Sequence, residues 1–279
     1  MMDRLQDILF RVLAKPVAFL VRDFKLAVSY RLQFFLQGIG ILVTTLTFFL
    51  FSQLLSGQNI QSLEPYGGDF FSFVIIGIAF SDYLISSTNT FAHEVRVAQV
   101  VGTLESLLVT PTSIMTILFS SYLYTLLATS LRILLYLVLG IFVFGVDIQV
   151  NGIATVLLTF FLCLLPFFGL GLLSATFIII FKQGSPISGF IAVTSGLLGG
   201  VLYPVAILPA WLKPFSALLP ITYGLESMRQ VLLNGAGLSD IRTQLFILLV
   251  FSVVLLTAGI GSVYFGLRVA RKEGSLLHY

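Results

Sequence analysis

Apolar residues occur along this chain in long blocks, and short polar segments separate the blocks. Most blocks reach or exceed the roughly 20 residues that an α-helix needs to cross a bilayer. They lack the alternation of apolar and polar positions that is typical of a membrane β-barrel. The pattern therefore predicts an all-α polytopic membrane protein with six transmembrane helices in 33–267, at about residues 33–55, 70–92, 114–146, 153–181, 187–206 and 243–267.

The segment 1–31 has a different pattern, with apolar residues at helical spacing on one face and charged residues on the other. The apolar face begins at Leu5, and Pro16 is expected to break or kink the helix before the pattern resumes at Val17. Since a membrane span follows at once, the segment is predicted to be an amphipathic helix at the membrane surface. A cytosolic helix packed on a partner protein is the alternative.

Prolines interrupt the apolar stretch around segment 207–242, with Pro204 just before the segment and Pro209, Pro214 and Pro220 within it. They divide it into pieces that are too short to span a membrane. The third block, 114–146, is by contrast longer than a crossing requires and is expected to tilt or to project from the bilayer.

Lysine and arginine are distributed unequally between the two sides of the predicted helices. With the N-terminus in the cytoplasm, eleven of these cations lie on the inner side and only three on the outer side, namely Lys213, Arg229 and Arg242. An excess of cations marks the cytoplasmic side. Both termini, including a basic tail at 268–279, are therefore predicted to be cytoplasmic.

The composition of the chain excludes several classes of function. Charged residues make up 10% of the chain, against about 25% in soluble domains. The net charge of +3 is too small to indicate nucleic-acid binding, and Cys163 is the sole cysteine. The sequence contains no phosphate-binding loop, no HExxH or CxxC motif and no GxSxG motif. We therefore expect no catalytic residues and no metal site on this chain.

Two ionisable residues fall inside predicted spans, Asp82 in the second and Arg132 in the third. Charges in lipid are costly and are often functional. Counted from the cytoplasmic ends of the predicted spans, Asp82 lies about 10 residues in and Arg132 about 18, a mismatch of ~12 Å in depth. An intramembrane charge pair, snorkelling of Arg132 towards the surface and a role in a transport path all remain open.

The predicted cytoplasmic loop at 93–112 contains a short apolar helix of its own. Gly102 allows a turn, Thr103 can cap a helix and Pro111 ends it. A helix of this kind is suited to docking on another protein. The alternative is a helix at the membrane interface that only closes the bundle. The pattern alone favours neither.

Two motifs carry a resemblance to a known family. The run G-T-L-E-x-L-L-x-T-P-x-S at 102–113 resembles the loop between the second and third spans of ABC transporter type 2 permeases. The segment 200–229, with G-V-L-Y-P, L-P-x-W-L, L-P-I-T-Y and a later arginine, resembles the family's signature around the fifth span. Arg22-Asp23-Phe24-Lys25 is a weaker match.

The resemblance implies roles for the matched residues. It implies that the 102–111 segment is a coupling helix inserted into a nucleotide-binding subunit and that the N-terminal helix is a connecting helix. It also implies that short helices around 203–229 re-enter the outer leaflet and narrow the exit. The implied partner-binding residues are Glu94, Gly102, Thr103, Leu104, Glu105, Leu107, Leu108 and Pro111. The implied exit residues are Tyr203, Pro204, Pro209, Trp211, Pro220, Tyr223 and Arg229.

The function implied by the resemblance is that of an exporter's membrane subunit in a bacterial inner membrane. Two copies of the chain would pair with two copies of a separate ATPase, which would hold the ATP and Mg, so that this chain needs no cofactor. The loop favours a hydrophobic or amphiphilic cargo, such as a drug, lipid or lipo-oligosaccharide. A permease for polysaccharide or glycolipid is the alternative within the family. A membrane scaffold or insertion protein without an ATPase is the alternative from another class.

Overall fold

The computed structural model describes residues 2–55, 60–102, 113–149, 151–182 and 186–272, and within these ranges the chain is helical with no β-strand. Two short 3₁₀ helices occur at Gln61–Tyr66 and Val205–Ile207. The α-helices of the described ranges are α1 (Met2–Ser29), α2 (Arg31–Leu55), α3 (Phe70–Val100), α4 (Ile114–Phe142), α5 (Ile153–Phe181), α6 (Pro186–Leu198), α7 (Lys213–Ala217), α8 (Pro220–Leu233) and α9 (Arg242–Lys272).

Five of these helices, α2, α3, α4, α5 and α9, are long and apolar enough to cross a membrane. They coincide with five of the six predicted spans. The remaining prediction, 187–206, coincides with α6, which has 13 residues and is only about 20 Å long. It ends at Leu198 because the next two residues are glycines, of which Gly200 has a φ of +76° and turns the chain.

Helix α1 continues through Pro16 to Ser29. Of the predicted break or kink at this proline, the break is therefore wrong and the kink stays a prediction. It packs mainly against α4. Several of its apolar side chains, among them Val17, Phe24 and Val28, remain exposed on the surface of the chain. An exposed apolar face on a surface helix is compatible with the predicted contact with a membrane, which stays a prediction.

The bundle is organised around α5, which packs most extensively against α9 and α3. Glycines bring α5 and α9 close together. A Cβ on Gly169 would lie 2.5 Å from the backbone of Leu255, and one on Gly259 would lie 2.7 Å from the Gly169 carbonyl oxygen. Small residues of this kind let helix backbones approach where lipid supplies no hydrophobic driving force between helices.

Helix α3 is longer than the span predicted from its apolar run. Asp69 caps its start by accepting hydrogen bonds from the backbone N–H groups of Phe71 and Ser72. At the other end the helix runs eight residues beyond the predicted boundary at 92 and stops at Val100. The last turns of this helix therefore carry polar residues, His93, Glu94, Arg96 and Gln99, at positions that were predicted to lie in a loop.

Candidate functional site

Asp82 on α3 and Arg132 on α4 face each other inside the bundle. Nε of Arg132 lies 3.1 Å from Oδ2 of Asp82. Nη2 of Arg132 donates to the hydroxyls of Ser86 at 2.9 Å and Thr129 at 3.0 Å. Both charged side chains are about a quarter exposed. The arrangement joins α3 and α4 through side chains alone and leaves the pair accessible.

The depth mismatch expected for this pair is wrong. It arose because the end of the second span was placed at residue 92, whereas α3 continues to Val100. Eighteen residues separate Asp82 from Val100, and eighteen separate Arg132 from Ile114 at the start of α4. The two residues are therefore equally far from the adjoining ends of their helices.

A cavity of about 610 Å³ opens beside the Asp82–Arg132 pair, between α1, α2, α3 and α4. Most of the residues that line it have polar or charged side chains, among them Asp23, Asn89, His93, Glu94 and Arg132. Charged groups of α1 meet the cavity at its edge, where Arg22 is 2.7 Å from the carboxylate of Asp23 and 3.9 Å from that of Glu94. The contact between Arg22 and Glu94 joins the N-terminal helix to the end of α3.

The predicted partner-binding segment is described only in part. Glu94 lies within α3 and faces Arg22 of α1. Gly102 follows the end of α3 with a φ of +75°, and its N–H donates to the Gln99 carbonyl. This left-handed conformation explains the choice of glycine. The remaining predicted residues, Thr103, Leu104, Glu105, Leu107, Leu108 and Pro111, lie outside the described residues.

The predicted exit residues lie in short elements between α6 and α9. Tyr203 donates to the carbonyl of Leu197, and Pro204 precedes the second 3₁₀ helix. Pro209 and Trp211 lie in the turn before α7, and the Trp211 side chain is 69% exposed. Two further residues belong to α8, where Pro220 is the first residue and the Tyr223 hydroxyl donates to the Ala217 carbonyl.

Arg229 on α8 is 2% exposed and joins three segments of the chain. It donates to the carbonyl oxygens of Phe73 at 3.1 Å, Gly200 at 2.7 Å and Val201 at 2.9 Å. Its guanidinium carbon lies 3.4 Å from the centroid of the Phe73 ring. Burial lowers the pKa of Arg229 to about 9, so the side chain stays protonated at neutral pH.

Three residues around Arg229 were missed by the sequence analysis. A Cβ on Gly77 of α3 would lie 2.1 Å from the Val201 carbonyl oxygen, so only glycine fits there. The hydroxyl of Tyr66 donates to Glu226 at 2.6 Å, and burial together with that carboxylate raises the pKa of Tyr66. No local pattern marks Gly77, and Tyr66 and Glu226 are too far apart in sequence to be linked by spacing.

The architecture is that of a multi-span helical membrane protein that holds charged side chains within its bundle. Residues 17–233 match the family model described as ABC-2 type transporter, and the chain belongs to this family. It is 28% identical over 215 residues to the inner membrane transport permease YadH of Escherichia coli K12 and to its counterpart in Shigella flexneri. The aligned region covers 76% of this chain and 81% of each relative.

Family membership indicates a membrane transport permease rather than an enzyme. It also implies that the chain works within a transporter complex that includes an ATPase.

Proposed function

We propose that this chain is the permease subunit of an ABC exporter in a bacterial inner membrane. A separate ATPase would supply the energy, and the cargo would be an amphiphilic or hydrophobic molecule taken from the cytoplasm or the inner leaflet. Membership of the ABC-2 family carries the proposal. The name of the YadH relative, an inner membrane transport permease, supports the location.

The helices on either side of residues 103–112 suggest how the ATPase would act. Helices α3 and α4 have 31 and 29 residues and adjoin this segment from both sides. A push on the segment would therefore reach both long helices directly. Because α1 packs on α4, and Arg22 contacts Glu94 of α3, a push on α1 would reach the same pair of helices.

The complete transporter would contain two copies of this chain and two copies of the ATPase. In this arrangement α6 would complete a sixth crossing together with the residues that follow it, and both termini would be cytoplasmic. The short helices between α6 and α9 would re-enter the outer leaflet and border the exit. Their lengths of 3, 5 and 14 residues are too short for spans, which supports this assignment.

The cargo assignment rests on the likeness of the 102–113 loop to exporters of drugs, lipids and lipo-oligosaccharides. The cavity beside Asp82 and Arg132 supports it, since a polar space that borders apolar surface suits an amphiphile. Two alternative functions must be distinguished from this proposal. One is the export of polysaccharide or glycolipid, and the other is a scaffold role without an ATPase.

Two glycines provide a matched test of coupling. Gly102 and Gly145 have φ values of +75° and +72°, and a Cβ on either would meet nothing within 4 Å. Alanine therefore introduces the same backbone strain at each, of order 1 kcal/mol. Gly102 adjoins the proposed ATPase contact, whereas Gly145 follows the opposite end of α4.

We expect Gly102→Ala to reduce cargo-stimulated ATP hydrolysis about tenfold in the reconstituted complex, with Gly145→Ala close to the unsubstituted protein. The candidate ATPase is one encoded beside this chain and containing a phosphate-binding loop. Glu105→Gln should act like Gly102→Ala. Equal effects of the two glycine substitutions would contradict the coupling role, and failure of any such ATPase to co-purify would favour the scaffold.

A further inference from the structure

A second cavity, of about 660 Å³, adjoins the polar cavity on the side of α2 and α4. The two cavities share the lining residues Ala27, Gln37, Tyr124, Ala128 and Arg132. The shared lining shows that the two cavities adjoin, and we call the two together the α1–α4 groove. Each half has the size of an ordinary ligand pocket, so the whole has room for a ligand larger than a typical drug.

The two halves of the groove differ in chemistry. Leu127, Leu131 and Leu135 of α4 line the second cavity, and their side chains are between 38% and 51% exposed. Successive spacing by four residues places them in one row on the helix. Most residues that line the first cavity carry hydroxyl, amide or charged side chains instead. The groove therefore leads from a polar chamber to an apolar wall.

Charges of opposite sign are also separated along the groove. The carboxylates of Asp23 and Glu94, together with His93, line only the polar cavity. Arg31 lines only the apolar cavity, and Arg132 lines both. Among the described residues Arg31 makes no ion pair within 4 Å. A ligand that matches the groove therefore carries an apolar tail, then an anionic group and then a cationic group.

We propose that the α1–α4 groove binds one zwitterionic phospholipid of the surrounding membrane. One acyl chain lies along the α4 leucines, the phosphate lies towards Arg31, and the amine lies towards Glu94 and Asp23. A phospholipid carries its phosphate between its chains and its amine, which is the order of the groove. Arg22 contacts both carboxylates and offsets one of their two negative charges, which leaves one for the amine of the lipid. An anionic lipid has no cation to place there, and electrostatic matching of this kind governs selectivity.

The polar end of the groove is also at the correct end of the helices for such a lipid. Glu94 lies near the end of α3 that leads into Gly102, whereas Leu135 lies well along α4 from its start at Ile114. A lipid whose headgroup faces that end would point its chain towards the bundle centre. Binding of a lipid to this site needs no ATP hydrolysis, so it can be tested on the permease without an ATPase.

Photolabelling in nanodiscs of phosphatidylglycerol tests the proposal. Two probes are compared, phosphatidylethanolamine and phosphatidylglycerol, each with the same diazirine-bearing acyl chain. We expect the ethanolamine probe to label peptides containing residues 124–135 about tenfold more strongly, which corresponds to one charge-assisted contact. Equal labelling by the two probes would overturn the headgroup assignment and with it the proposal.

Two pairs of variants connect the labelling to the groove. Glu94→Gln should lower labelling by the ethanolamine probe to the phosphatidylglycerol level, whereas Glu64→Gln, at an exposed carboxylate on the first 3₁₀ helix, should change nothing. Leu131→Trp should obstruct the apolar half and reduce labelling by both probes, whereas Leu249→Trp should not. Leu131 and Leu249 are both 48% exposed, so the second pair is matched.

Other occupants would give different results. If a second copy of the chain filled the groove, a photoreactive residue at position 131 would cross-link two copies and the lipid probes would not label residues 124–135. If the groove held only water, labelling would be equal along all apolar helices. Either result would contradict the proposal, and neither would bear on coupling to an ATPase.

Discussion

Arg229 and Arg132 are both arginines within the helical bundle, but they are stabilised in opposite ways. Arg229 is almost fully buried and donates to three backbone carbonyl groups. Arg132 is partly exposed, and its contacts are with the side chains of Asp82, Ser86 and Thr129. Backbone carbonyls are held by the fold, whereas side chains can change rotamer. Arg229 is therefore suited to stabilising the fold, whereas the contacts of Arg132 can change when a ligand binds.

The surroundings of the two arginines follow the same division. Near Arg229 the packing against α3 is tight, since Gly77 leaves no room for a Cβ, and the cavity that Arg229 lines has a volume of only about 220 Å³. Near Arg132 the two cavities of the α1–α4 groove open. Motion and ligand binding need space and exchangeable contacts. We therefore expect substitutions near Arg229 to affect stability most, and those near Arg132 to affect binding most.

The largest expected effect is that of Arg229→Met. The substitution leaves the Gly200 and Val201 carbonyls buried without a donor, and each such loss costs about 1–3 kcal/mol. We expect a loss of about 3 kcal/mol or more in the free energy of unfolding, measured by denaturant titration with circular dichroism in detergent.

Arg132→Met is the matched comparison for this substitution. It removes the same charge at a partly exposed site and should cost about 1 kcal/mol. Arg229→Lys should recover only a minor share, because an ammonium cannot reproduce the planar fork of the guanidinium. Equal losses in the free energy of unfolding for the two methionine variants would contradict the different structural roles of Arg229 and Arg132.

Gly77→Ala should have the next largest effect. The added methyl group would meet the Val201 carbonyl oxygen at 2.1 Å and Nη2 of Arg229 at 2.6 Å. The backbone must shift, and overpacking of this kind costs about 1–3 kcal/mol. The free energy of unfolding should fall by that amount.

Gly40→Ala on α2 is the control for this substitution, because a Cβ there would meet nothing within 4 Å. Alanine favours helix over glycine by about 1 kcal/mol, so this variant should be unchanged or slightly more stable. A Gly77→Ala protein as stable as the Gly40→Ala protein would show that the contact between α3 and the turn after α6 is loose.

The sequence alone predicts the spans of this bundle well and the ends of its helices less well. Five spans follow from apolar runs, because lipid requires long apolar helices wherever the chain crosses. Helix ends are harder to place, since α3 continues eight residues past its apolar run into polar residues that face α1. That single error produced the wrong depth for Asp82. An apolar run also extends past Leu198, where two glycines end α6.

The partners of the charged residues could not be predicted for a different reason. Arg229 bonds to carbonyl groups, and every residue has a carbonyl, so no residue type marks the acceptors. Gly77 is needed only because Val201 approaches it in the folded chain. Asp82 and Arg132 stood out as ionisable residues in apolar runs because charge in lipid is rare. Rarity identified those residues, but only the structure gives their neighbours.

The smallest expected effect is that of exchanging the two charges, with Asp82→Arg and Arg132→Asp combined. Either single substitution places two like charges in contact and should lower the free energy of unfolding by about 1–2 kcal/mol, and the double variant should recover about 1 kcal/mol of this. A double-mutant cycle measured by denaturant unfolding provides the value. A coupling near zero would mean that the 3.1 Å contact contributes nothing to stability.

Recovery is expected because the neighbours of this pair are hydroxyl groups. Ser86 donates to Asp82 and accepts from Arg132, and a hydroxyl can exchange these roles when the charges are exchanged. No corresponding exchange exists for Arg229, since a carbonyl oxygen can only accept and an acid at that position would face three acceptors. An exchange that is tolerated at Asp82 and Arg132, together with a severe loss on Arg229→Glu, would establish that the partner chemistry, and not the charge itself, separates the two arginines.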